Sequence, residues 1–187
     1  MSRLLLLIVL ACAAFGFAAC GGDREETVTV GESEAVYVTL GDLQYQVQLS
    51  RQLDQFAPAD RDLLKGVPAA QRKLKADEIW FGVWLRVQNG SEAPKTTADE
   101  FRIKDTTGRE FKPVELGPDS PFAYRSVELA GERALYPPPN SASGQSPTTG
   151  AFLLFRMPIS ALDFRPLEFE FASSELPGKV SAVRLDV

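Results

Sequence analysis

Residues 79–87 read Ile79-Trp80-Phe81-Gly82-Val83-Trp84-Leu85-Arg86-Val87. Side chains of a strand alternate between its two faces. Ile79, Phe81, Val83, Leu85 and Val87 therefore form one apolar face, and Trp80, Gly82, Trp84 and Arg86 form the other. Both faces are largely apolar, which predicts a strand at the centre of a sheet rather than at its edge. Asn89-Gly90 closes it with residues that tolerate positive φ.

Outward from this strand the period-two pattern recurs. Leu43-Gln44-Tyr45-Gln46-Val47-Gln48-Leu49 sets apolar residues at every odd position and glutamine at every even one. Ala35 to Leu40 precedes it across Gly41-Asp42, a tight turn that predicts a hairpin. Phe101–Lys104 and Arg109–Phe111 flank Asp105-Thr106-Thr107-Gly108, a second hairpin with Gly108 at the left-handed position. Phe152–Arg156 reads as a buried strand stopped by Pro158, and Leu167–Phe171 and Val183–Val187 alternate cleanly. About eight short strands with turn signals between them predict an all-β, antiparallel sandwich over 35–187.

Two segments break the rhythm. Arg51 to Glu78 contains Pro58 to Gly66, with proline and acids at its start and Lys65-Gly66 at its end, which predicts one short helical excursion. Gly117 to Gly150 is a proline-rich connection that includes Pro137-Pro138-Pro139. Long connections of this kind carry function or move.

The N-terminus gives the address. Arg3 and the apolar run Leu4 to Phe17 have the layout of an export signal. Phe17-Ala18-Ala19-Cys20 resembles a bacterial lipobox, with Phe where Leu is usual. The resemblance implies cleavage after residue 19, diacylglycerol on Cys20, and anchorage to the extracytoplasmic face of the cell membrane. Acyl chains hold a protein there at about 0.8 kcal/mol per buried CH₂. A non-lipidated signal cut near Ala14-Phe15-Gly16 is the alternative. Residues 20–34 then form a polar, glycine-bearing tether. Residues 35–187 are long enough to bury a core without disulfides.

Composition narrows the chemistry. The chain has no histidine, and its two cysteines are Cys12, inside the signal, and Cys20. The commonest metal ligand and general base is therefore missing, and no metal or cofactor is expected. There are 20 basic and 25 acidic residues, a net charge of −5, with the basic residues scattered, so nucleic acid is not an expected partner. No nucleophile motif occurs, and no residue is assigned to catalysis. Asp60, Asp62, Asp77 and Glu78 cluster in sequence, which leaves a carboxylate-based glycan hydrolase as a minor alternative. Asp99, Glu100 and Asp105 lack a calcium-loop spacing and read as turn-forming acids.

Val83 to Asn89, Phe101 to Phe111 and Gly150 to Pro158 together resemble a group of telokin-like, immunoglobulin-like domains of unknown function in secreted Gram-positive lipoproteins. There a strand ending in Val-x-Asn leads to an Asp-x-x-Gly-x-x-Phe hairpin and then to a Gly-x-Φ-Φ-Φ-Phe-x-x-Pro strand. The similarity covers Ala35 to Phe171 and implies an immunoglobulin-like sandwich outside the cytoplasm. The long excursion over Arg51 to Glu78 departs from that pattern, and so does the stretched loop before Phe152. A site special to this protein is expected in those two segments.

Trp80, Trp84 and Arg86 are the candidate binding residues. Exposed, they would form an apolar groove for an envelope protein or a glycan. Covered by the excursion, with Phe56, Leu63 and Leu64 as a lid, they would form a second core face. The expected role is a non-catalytic interaction or accessory module of the cell envelope. A purely structural envelope domain is the alternative.

Overall fold

The computed structural model describes residues 28–187. Residues 1–27, including the export signal and Cys20, lie outside the described residues. Two five-stranded sheets face each other. One has the order β1 (Val30–Gly31), β12 (Val180–Leu185), β11 (Leu167–Ala172), β6 (Glu100–Lys104), β7 (Glu110–Phe111). The other runs β10 (Ala151–Pro158), β4 (Glu78–Asn89), β3 (Leu43–Leu53), β2 (Tyr37–Leu40). In this second sheet β9 (Leu135–Tyr136) continues along β4 beyond the end of β10. A small ribbon pairs β5 (Lys95–Thr96) with β8 (Glu128–Leu129). The fold is all-β.

The core between the sheets is built by the odd-numbered residues of β4. Ile79, Phe81, Val83, Leu85 and Val87 meet Leu153, Phe155 and Met157 of β10 and Phe169, Phe171, Ile103 and Val183 of the opposite sheet. β4 lies between β3 and β10, the central place that its two apolar faces predict. Both predicted hairpins form. Gly41 turns β2 into β3 at φ 63°, and Gly108 turns β6 into β7 at φ 86°. Asp105 fastens the second turn, accepting from the Thr107 and Arg109 amides at 2.9 and 3.1 Å and from Arg109 Nε at 2.6 Å. Burial alone would raise its carboxyl. The hydrogen bonds from Thr107 and Arg109 outweigh that and pull it down to about 2.

Four features differ from the sequence-based expectation. β3 does not stop at Leu49 but continues to Leu53, with a bulge between Val47 and Leu49. One extra residue shifts the phase of every side chain after it. Val47 still pairs with Leu85 on the inner face, whereas Leu49 pairs with Trp84 on the outer one. The body also starts before residue 35. Val30 and Gly31 pair in parallel with β12, and the Thr39 amide donates to the Val28 carbonyl at 2.7 Å. Residues 28–34 therefore belong to the sandwich rather than to a tether, because their backbone groups complete its edges. The connection from Gly117 to Gly150 contains β8, β9 and a short helix over Ala142–Gln145. Finally, the last strand is Val180–Leu185 rather than Val183–Val187.

Buried tyrosines tie the irregular segments to this frame. Tyr45 of β3 accepts from the Ala98 amide at 2.7 Å, and Tyr124 donates to the Ala98 carbonyl at 3.0 Å. Burial pushes both hydroxyls up, so they stay protonated. Tyr136 of β9 accepts from the Arg125 amide at 2.8 Å, which holds the 113–126 strap against the second sheet.

Candidate functional site

The even-numbered residues of β4 point away from the inner core. Trp80 and Trp84 are only 2% and 4% exposed, and Phe152 and Leu154 of β10 and Leu49 and Leu53 of β3 surround them. This second apolar cluster lies outside the sandwich proper and is sealed by two segments. One is the excursion between β3 and β4, which supplies Leu63, Leu64, Val67 and Leu74. The other is the strap after β7, which supplies Val114, Leu116, Phe122 and Ala123. Of the two arrangements open to the tryptophans, the covered one is found. Trp80 and Trp84 do not form an exposed platform.

Gly82 permits the packing. A Cβ there would stand 2.6 Å from Phe152 Cε2 and 2.9 Å from the Trp84 ring, so the two rings fill the space a side chain would take. Their centroids are 4.9 Å apart at 47°. The groove expected between the tryptophans is thus occupied by Phe152. Arg86 shares this face opposite Gln46, is half-buried, and lines none of the three clefts described below.

The lid is clamped by charge. Asp60 of α1 (Pro58–Leu64) is 5% exposed and receives both Arg51 terminal nitrogens, at 3.0 and 2.6 Å, together with the Asp54 amide at 2.8 Å. The Arg51 hydrogen bonds hold the Asp60 carboxyl below its ordinary range. The same guanidinium lies 5.3 Å over the Trp84 ring. One arginine thus joins the helix to the sheet face it covers. Leu63 and Leu64 take the places expected of them, but Phe56 does not. It is 80% exposed and is no part of the lid.

Three of the four carboxylates considered for hydrolysis bind cations instead, and Asp77 makes no ion pair among the described residues. Asp60 holds Arg51, and Asp62 pairs with Lys65 at 2.7 Å. Glu78 accepts from Arg156 Nε at 2.7 Å and from the Lys75 amide at 2.9 Å, contacts that lower its carboxyl. Asp99 accepts from the Ser174 amide and hydroxyl at 2.9 and 2.6 Å, joining two loops. Among the described residues, no group of three or more acids, cysteines or histidines is arranged to hold a metal ion.

The lid leaves a cleft at its margin with a volume of about 680 Å³. Its lining combines the buried Trp80 and Val67, the more exposed Leu64 and Pro58, and the cations Arg61, Lys65 and Arg72. Arg72 Nε donates to the Val67 carbonyl at 2.9 Å, which orients the guanidinium. Asp62 is the only acid among the lining residues. Two further clefts, of about 460 and 290 Å³, share Asp99, Phe101 and Pro113. The reading of basic residues as scattered needs correction here. Residues 61–75 hold Arg61, Lys65, Arg72, Lys73 and Lys75 against Asp62 alone, in a chain of net charge −5. That local count was available in the sequence. Its convergence on one cleft was not, because α1 and a 3-10 turn at Ala69–Gln71 bring Arg61 and Arg72 together.

No protein-family model matches the sequence, and no curated protein does. Solved structures do resemble the fold. The yjhA protein from Bacillus subtilis is 11% identical, with a TM-score of 0.50 over 83% of this chain and 99% of that one. A candidate lipoprotein, ycdA, from Bacillus subtilis subsp. subtilis str. 168 is 10% identical, with a TM-score of 0.46 over 82% of this chain and 39% of that one. A functionally unknown protein from Listeria monocytogenes EGD-e is 9% identical, with a TM-score of 0.47 over 83% of this chain and 85% of that one. At such identities the likeness concerns the fold alone.

Proposed function

We propose that the protein is a non-catalytic binding module, held at the extracytoplasmic face of the cell membrane by a lipid on Cys20. The immunoglobulin-like assignment and the membrane setting rest on the sequence resemblances. The binding role rests on one structural observation. The outer face of the second sheet carries its own apolar core under a lid, and the lid margin leaves a lined cleft of about 680 Å³. Rigid scaffolds commonly present their ligand sites in such loop-built margins. A structural envelope domain needs no cleft of this kind, which makes the cleft the point of discrimination.

Two measurements test the proposal. Labelled palmitate should enter the wild-type protein and not Cys20→Ser, and the variant should leave the membrane fraction for the medium. Unmodified wild-type protein released to the medium would end the anchoring half. For the binding half, a photo-reactive residue replaces Gln55, at the cleft, or Glu168, on the far sheet. Adducts on intact cells should form from position 55 and not from 168. Adducts from neither position, or equally from both, would favour the purely structural role.

A further inference from the structure

We propose that the lid-margin cleft is a site for a phosphate ester, with Arg61, Lys65 and Arg72 as its cationic lining and Leu64 and Pro58 as its apolar side. The inference rests on the binding-module reading and names the ligand chemistry of that same cleft.

Charge is the first argument. Three cations line the cleft against the single Asp62 carboxylate, an excess of two positive charges in a chain of net charge −5. Asp60, the other acid of α1, faces Arg51 rather than the cleft. A lone carboxylate ligand would use half of that excess. A phosphate monoester dianion, or neighbouring phosphodiesters along a polymer, would use all of it.

Availability is the second. Arg61 makes no ion pair among the described residues. Arg72 spends its Nε on the Val67 carbonyl, which orients the planar group while its two terminal nitrogens make no hydrogen bond among the described residues. Oriented guanidinium forks suit phosphoryl oxygens. Lys65 is paired only with Asp62, and the two side chains are 75% and 59% exposed, so a ligand can take the ammonium over at little cost. Apolar surface from Leu64 and Pro58 beside the cations favours an ester with a carbon skeleton over inorganic phosphate.

Position is the third. Val28, the first described residue, is bonded to Thr39, opposite Gln44 at the start of β3. The cleft lies by Trp80, opposite Leu53 at the end of β3. At about 3.3 Å per residue these ends are roughly 30 Å apart, so the cleft and the first described residue stand at opposite ends of the sheet.

The test uses the domain 21–187 in solution and its two tryptophan indole N–H signals, assigned with Trp84→Phe. Glycerol 3-phosphate and a poly(glycerol phosphate) chain are the phosphoryl probes, glucuronate is the carboxylate control, and phosphatidylglycerol vesicles are the lipid arm. Either phosphoryl probe should move the Trp80 signal saturably and leave Trp84 in place, with affinity falling as salt rises. Saturation by glycerol 3-phosphate points to a small ester, and saturation by the polymer alone points to a repeating phosphodiester. Arg61→Gln/Arg72→Gln should weaken the response by about tenfold or more. Its unfolding temperature should fall only slightly, since both side chains are exposed and the one bond lost is that of Arg72 to the Val67 carbonyl. Lys73→Gln, outside the cleft lining, should bind as wild type. The proposal is overturned by any one of four results: no saturable shift, an equal response to glucuronate, a response that survives the double substitution, or binding confined to vesicles. Any of these would leave the palmitate and adduct results unchanged, so the site can fail while the module reading stands.

Discussion

The outer faces of the two sheets solve the same problem in opposite ways. On the first sheet the outward residues are charged. Arg102 bonds Glu170, and Lys104 reaches Glu170 at 3.6 Å and Glu110 at 3.8 Å. Water completes that surface, and Glu168 and Arg184 continue it at 3.8 Å. On the second sheet the outward residues of β4 and β10 are Trp80, Trp84, Phe152 and Leu154, and two long connections fold over them. The difference teaches that a sandwich strand apolar on both faces recruits a third layer. Burial at roughly 25 cal/mol per Å² makes leaving two indoles in water the costlier arrangement. That third layer is also what creates a cleft. The solvated face carries a smaller one, of about 460 Å³, lined by Glu100, Arg102, Glu170 and Val180 with Lys112 and Pro113.

The comparison predicts a graded set of outcomes. Trp84→Ala on the capped face should cost about 4 kcal/mol, read by denaturant unfolding, because it empties a site packed against Phe152 and Arg51. Asp60→Ala should cost about 2 kcal/mol, less than a fully buried pair, because Arg51 remains 39% exposed and can be rehydrated. Hydrogen exchange should rise across residues 57–76 while the β4 and β10 amides stay protected. The folded carboxyl is lowered by Arg51, so this contribution is complete above the ordinary carboxylate range of about 4 and is lost as acid protonates the folded form. The wild type and Asp60→Ala should accordingly converge in stability on acidification.

Gly82→Ala should cost about 1.5 kcal/mol through the ring contacts at 2.6 and 2.9 Å, seen as a lowered unfolding temperature and altered tryptophan emission. The smallest effect belongs to the solvated face. Glu170→Gln should change stability by about 0.5 kcal/mol, and less in high salt, since its partners Arg102 and Lys104 are each more than a third exposed. If Glu170→Gln matched Trp84→Ala, the two faces would not differ as described.

Much of this contrast was already legible in the chain. Leu167-Glu168-Phe169-Glu170-Phe171 writes a solvated face, because glutamate at every second position has no reason to be buried. Residues 79–87 write a covered one. Legible too were both hairpin turns, the central place of β4, and the helix that begins at Pro58. The bulge after Val47 was not, since an unbroken Leu-Gln-Tyr-Gln-Val-Gln-Leu alternation gives no sign of a slipped phase. Nor were β1, β8 and β9, which are two residues long and exist only because a distant strand offers its free edge. Phe56, apolar and near the helix, read as lid and stands in solvent. The strap residues Leu116 and Ala123 gave no such signal and are lid.

The sequence by itself determined the side-chain periods, the turns that positive φ demands, and the absence of imidazole. These are properties of neighbouring residues and need no partner. The tertiary structure alone decided which segments cover Trp80 and Trp84, where Leu49 points, and that Arg61, Lys65 and Arg72 ring one cleft. Those outcomes depend on contacts between residues far apart in the chain, and a local pattern carries no record of what will be laid against it.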